Sequence, residues 1–137
     1  MFELTELAIA ADVLRARLHD ARAGAVASFE GVVRNTHQGR AVIALDYEAY
    51  RELALREGER ICAEVRERHA LLGLVAVHRL GHLNVGEVAV WVGALAGHRD
   101  AAFAACREAI DEIKRRVPIW KQEHYVDGVS AWLHPEQ

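Results

Sequence analysis

The 137-residue length suits one compact domain, expected over residues 1–137, and a composition of 52% hydrophobic and 27% charged residues excludes a disordered chain. The longest apolar runs, such as Val88–Ala96, are too short for a membrane helix, and the acidic start Met1-Phe2-Glu3-Leu4-Thr5-Glu6 is unlike a basic secretory leader. Cys62 and Cys106 show no CxxC or CxxH spacing, so neither a disulfide scaffold nor a metal site is expected, which leaves a soluble, reduced, cytoplasmic domain. The net charge is −3, yet both lysines of the chain fall in the window Lys114-Arg115-Arg116-Val117-Pro118-Ile119-Trp120-Lys121, which contains no acid. Nucleic-acid binding asks for a broad basic face and is not expected here; one local basic spot suits a small anion or a single phosphate.

In chain order, Leu7, Ala11, Leu14 and Leu18 recur at helical spacing and predict a helix from Thr5, its N-cap, to about His19. The alternation in Ala25–Arg34 predicts a strand, Asn35–Gly39 a turn, and Ala41, Ile43, Leu45, Tyr47 and Ala49 one face of a second strand, so residues 25–49 read as a β-hairpin. Helical spacing returns from Tyr50 to about Ala70 through Ala54, Gly58, Ile61, Cys62 and Val65, with Gly73 as its terminator and Glu52/Arg56 and Glu64/Arg68 as outer i, i+4 pairs. Leu74–Leu80 and Glu87–Leu95 flank the turn-like Gly81–Gly86 and predict a second hairpin. After Gly97-His98-Arg99-Asp100, the positions Ala102, Cys106, Ala109, Ile110, Ile113 and Val117 trace the clearest helix of the chain, stopped by Pro118. Ile119–Tyr125, a turn at Asp127-Gly128 and Val129–Leu133 close the chain as two strands. The fold class expected is therefore α+β, mainly antiparallel sheet with three helices, and no GxGxxG or P-loop anchors a nucleotide.

Candidate chemistry concentrates around the two lysines. Lys114 sits at the edge of the apolar stripe near a helix end and Lys121 lies just past the Pro118 corner, so a sharp turn can bring both amines to one site. Lysines near a helix C-terminus also complement its dipole, and spacing alone leaves both readings open. Arginine fills 15 of the 17 basic positions, which argues for the lysines, because an amine can lose its proton on burial and act as acid, base or nucleophile whereas guanidinium stays charged. His98-Arg99 at a helix start offers donors to an anion or is an ordinary surface start. Arg34 ends a strand beside a polar turn. In His78-Arg79, one of two polar side chains must face inward from an apolar strand, as an ion pair or as part of a site. The other histidines show no ligand spacing, and no nucleophile triad is in view.

Taken as a set and in order, Phe29-Glu30-Gly31-Val32-Val33-Arg34-Asn35, Tyr47-Glu48-Ala49-Tyr50, His78-Arg79-Leu80-Gly81, His98-Arg99 and Lys114-x-x-x-Pro118-Ile119-Trp120-Lys121-x-Glu123 resemble the large, catalytic subunit family of molybdopterin synthase over about residues 24–132. The resemblance implies an α/β hammerhead-type fold and a sulfurtransferase of molybdenum-cofactor biosynthesis. It implies conversion of cyclic pyranopterin monophosphate to molybdopterin, with two sulfurs delivered as a C-terminal Gly-Gly thiocarboxylate on a small ubiquitin-like subunit. It also implies a homodimer within a heterotetramer, with no metal and no cofactor needed for the step. By the same resemblance Lys114 and Lys121 are the catalytic pair, Arg34, His98 and Arg99 bind the pterin phosphate, and Phe29 meets the partner's tail. The competing reading is a non-enzymatic anion-binding or regulatory dimer on the same scaffold.

Overall fold

The computed structural model describes residues 1–134 as two sheets and three helices. Strands β1 (Phe2–Thr5), β2 (Ala25–Val32), β5 (Gly73–Arg79) and β7 (Val88–Ala96) form a four-stranded sheet in the order β1-β5-β7-β2, parallel only at β1–β5. Strands β3 (Thr36–His37), β4 (Arg40–Ala49), β8 (Ile119–Tyr125) and β9 (Gly128–Val129) form the second sheet in that order, with β6 (Gly81–Asn84) on the other edge of β4. Among the described residues, every pairing except β1–β5 is antiparallel, so the α+β reading holds.

The four-stranded sheet is covered on both faces, which is why β7 is apolar throughout rather than alternating. Val92, Ala94 and Ala76 face α2 (Arg51–His69) and α3 (Arg99–Arg116), whose stripe of Ala102, Ala105, Cys106, Ala109, Ile110 and Ile113 fills the main core with Ile61 and Val65. Trp91, Leu95, Val75 and Val77 face Leu14 and Leu18, at and just beyond α1 (Ala11–Ala16). Cys62 and Cys106 are buried free thiols. The charges expected to pair along α2 instead join the two helices: Glu64 and Glu57 receive Arg116, and Arg68 meets Glu108.

Four expectations are corrected. The helix predicted from Thr5 to His19 is only one and a half turns at Ala11–Ala16, and Thr5 is no N-cap but the end of β1, an edge strand that hydrogen-bonds β5. The hairpin predicted over residues 25–49 does not form between its two long strands. β2 pairs with β7 and β4 with β8, because the apolar side of the central sheet draws β2 away while residues 33–39 cross between sheets. The hairpin in that stretch is the short ribbon β3–β4, turned by Gln38 and Gly39 at φ +50° and +77°, the doubly left-handed turn that suits the strand twist. Helix α2 ends at His69, at the limit expected near Ala70, but its terminator is Ala70 rather than Gly73: Ala70 adopts φ +50° and lets Leu71 N–H reach the Arg66 carbonyl at 3.0 Å. Ile43, expected on the inner face of its strand, is the extra residue of a bulge between Val42 and Ala44 and stands 56% exposed. The β5–β7 hairpin forms as expected, although β6 occupies part of the stretch read as turn.

Candidate active site

The pocket lies where the C-terminal end of α3 meets the inner face of the second sheet. Val117, extended, and Pro118, without an amide proton, end the helix and turn the chain directly into β8. On β8 alternate side chains share a face, so Lys121 and Glu123 point the same way, opposite Tyr47 and Leu45 of β4. Lys114, Lys121, Arg34, Glu123, Tyr47 and His37 thus line one open cavity of about 140 Å³. The arginines of the basic window are committed elsewhere: Arg115 pairs with Glu112, and Arg116 with Glu57 and Glu64. Neither joins the pocket, and the two lysines do. The amines singled out by the Lys-to-Arg imbalance are therefore the ones the fold brings together.

Lys121 is the electrostatic centre. Its side chain is 15% exposed, and burial lowers the pKa of its ammonium; Glu123 at 3.9 Å opposes that shift, while Lys114 and Arg34 add to it as like charges. Glu123 is 2% exposed, and its Oε1 is buried with no hydrogen-bond partner among the described residues, within 3.9 Å of Lys121 and 3.7 Å of His37. A buried carboxylate oxygen between an amine and an imidazole is a proton acceptor aimed at the cavity. The floor behind it is held by aromatic contacts: the Tyr47 and His78 rings meet edge to face at 4.9 Å. Burial raises the Tyr47 phenol to about 12 and lowers the His78 imidazole to about 4. His78 is thus the inward member of His78-Arg79, donating Nδ1–H to the Arg79 carbonyl at 2.8 Å, while Arg79 turns out to Glu87 at 2.6 Å.

A groove between β2 and α3 leads to the same place. Phe29, Ala27 and Ser28 form one wall, Phe103, Cys106, Arg107, Ile110 and Asp111 the other, and Lys114 closes the end, so this lysine borders both groove and pocket. At Gly31 a Cβ would fall 2.6 Å from Val90 Cγ1, so the missing side chain lets β2 lie close on β7 beside Phe29. Phe29 itself is 37% exposed.

His98 and Arg99 are not in this pocket. His98 is the N-cap of α3 and Arg99 its first residue, both exposed, about 22 Å from Lys114 along the helix at 1.5 Å per residue. Glu123, His37 and Tyr47 are pocket residues the sequence reading did not assign. For Glu123 a signal existed, since alternation on an extended Lys121-x-Glu123 puts acid and amine on one face; His37 and Tyr47 are brought there by the pairing of β3, β4 and β8 within one sheet, which spacing in any one strand does not reveal.

The family model described as MoaE protein matches residues 4–116. A protein of Nostoc sp. named molybdopterin synthase catalytic subunit is 41% identical over 133 residues, covering 96% of this chain and 81% of that protein. The rice (Oryza sativa subsp. indica) protein of the same name is 49% identical over 115 residues, 84% of this chain but only 59% of that protein, so the chain spans little more than half the plant relative's length. Among solved structures, molybdopterin synthase from Staphylococcus aureus superposes with a TM-score of 0.90 at 34% identity, covering 96% of this chain and 95% of that one. A chain of the Helicobacter pylori complex of subunits 1 and 2 of molybdopterin-converting factor shares the fold, with a TM-score of 0.74 at 21% identity over 97% of this chain and 88% of that one. With most of its length matched by the family model and by relatives at 41% and 49% identity, the chain belongs to the MoaE family, that of the molybdopterin synthase catalytic subunits.

Proposed function

We propose that this chain transfers sulfur to cyclic pyranopterin monophosphate, taking it from the C-terminal thiocarboxylate of a small ubiquitin-like subunit, with Lys114 and Lys121 as the catalytic pair. The observation that carries the reading is Lys121: a largely buried amine, shifted toward neutrality by burial and by Lys114 and Arg34, with the Glu123 carboxylate beside it. Substrate phosphate and thiocarboxylate are both anions, and Lys114 and Arg34 offset their repulsion where they meet. Lys121 then has two features that favour proton transfer, a pKa lowered by burial and a carboxylate neighbour in Glu123 at 3.9 Å. The groove past Phe29 suits an extended glycine tail, since it is partly apolar and ends at Lys114.

Arg34 serves the substrate from the same chain as the lysines. His98 and Arg99 lie too far from their own pocket, so their role in phosphate binding requires a second copy whose α3 start approaches it. A cavity of about 140 Å³ also falls below the roughly 300 Å³ at which ligand pockets begin, as expected of a site one copy leaves unfinished. The test is subunit mixing in the presence of the thiocarboxylated small protein and the cyclic pterin phosphate. At substrate concentrations well below saturation, Lys121→Ala chains, impaired in turnover, and Arg99→Ala chains, impaired in binding, are each expected to be weakly active alone and to regain activity when dissociated and reassembled together. Failure to regain it removes the two-copy site. Substrate binding without sulfur transfer by the unaltered chain would instead support the non-enzymatic reading.

A further inference from the structure

On the face of the second sheet away from the pocket, three potential ligands converge. Asp46 of β4 lies directly opposite His82 of β6, and His124 of β8 sits one pleat along on the other side, opposite Ala44. Because side chains alternate, all three project from the face opposite to Tyr47 and Glu123. His82 Nδ1 approaches Asp46 Oδ1 at 3.0 Å and His124 Nε2 approaches Asp46 Oδ2, each as an N–H donor, so one carboxylate is gripped by two imidazoles. The two rings are 5.8 Å apart between centroids. Burial raises the Asp46 carboxyl, but the hydrogen bonds from His124 and His82 outweigh it and hold the group below its ordinary value.

We propose that Asp46, His82 and His124 form a zinc site on the outer face of the second sheet. One nitrogen from each imidazole and one carboxylate oxygen lie within 4.8 Å of one another. A tetrahedral ion with bonds of about 2.0–2.1 Å places its ligands about 3.3 Å apart, so small side-chain rotations close the set around a centre now bridged by two hydrogen bonds. Two imidazoles and a carboxylate, without thiolate, suit zinc over calcium or magnesium, and water completes the shell. His82, with a side chain 56% exposed, leaves a path for the ion. The three ligands come from three adjacent strands, so the bound ion would clamp β6 and β8 to β4 behind the strand that carries Lys121.

The experiment is titration of the metal-free chain with Zn²⁺ alone by calorimetry, with Co²⁺ as a spectroscopic stand-in. The expected result is one ion per chain, a cobalt spectrum without thiolate charge transfer, and a rise in Tm with zinc concentration. His82→Ala and His124→Ala are each expected to weaken binding by at least the roughly 10–100-fold that loss of an outer-shell partner costs a metal site. Asp46→Asn, nearly isosteric, should weaken binding with an unchanged far-ultraviolet circular dichroism spectrum. His69→Ala, which removes an imidazole–carboxylate pair elsewhere, with Glu108 at 3.2 Å, should leave zinc affinity as it was. No saturation at one equivalent, binding that survives the double His82→Ala/His124→Ala variant, or thiolate bands pointing to Cys62 or Cys106 would each overturn the site.

Discussion

The two ends of α3 carry similar charges and differ in everything that makes charge useful. At the C-terminal end Lys114 meets Lys121, Arg34 and Glu123 in a recess where the Lys121 side chain keeps 15% of its exposure. At the N-terminal end His98 and Arg99 stand in solvent beside free backbone N–H groups. On the proposed function the buried end would carry the proton transfer and the exposed end would only hold an anion, so substitution at each end should fail in a different way.

The largest effect is expected from Lys121→Arg. Arginine keeps the charge and so the attraction for phosphate, but it cannot release a proton near neutral pH, so turnover should fall by the 10²–10⁴-fold that general acid–base groups supply, with KM little changed. Steady-state kinetics with the thiocarboxylated partner measure the split, and a near-normal kcat would reduce Lys121 to a point charge. Lys114→Met sharpens the same comparison. Removing that like charge should move the alkaline-side pKa of Lys121 upward, visible in the pH profile of kcat.

Next comes the buried floor of the catalytic end. His78 folds with its pKa depressed to about 4, against about 6.5 when unfolded, so the unfolded chain binds the extra proton between those values. The stability this neutral imidazole contributes is complete above pH 6.5 and is lost as the pH falls toward 4, by about 3 kcal/mol in all at 1.36 kcal/mol per unit. Urea denaturation of the native chain and of His78→Gln at pH 7 and pH 4.5 tests this; the variant should lose much less stability on acidification. If both lose the same amount, the acid sensitivity lies elsewhere.

The smallest effect is expected at the exposed end. Arg99→Ala should weaken pterin phosphate binding by roughly one to two powers of ten, the loss of one charge-assisted contact, with kcat retained at saturating substrate. The salt dependence of binding should become shallower, because a screened cation is gone. Titration at two ionic strengths reads both. Equal affinities would leave Arg99 a surface residue and confine the phosphate site to Arg34 and the lysines.

Local information located the pieces of this protein. The 3.6-residue stripe from Ala102 to Val117 and the stop at Pro118 located α3 nearly to the residue, and the two lysines stood out because arginine had taken every other basic position. Turn chemistry at Gln38-Gly39 likewise marked a true turn. The ladder partners of β2 and β4 were not legible, because alternation says which face of a strand is apolar but not which edge meets which neighbour, and here two sheets compete for adjacent strands. The same reason hid β1, whose four residues form a strand only because the edge of β5 is there to pair with. Residue type and spacing therefore determined the secondary structure of the long elements and singled out the two lysines that line the pocket. Tertiary packing alone decided that His37 and Tyr47 lie beside Lys121, that His98 and Arg99 are far from it, and that Asp46, His82 and His124 meet on the other face, since contacts between strands remote in sequence leave no periodic trace in any one of them.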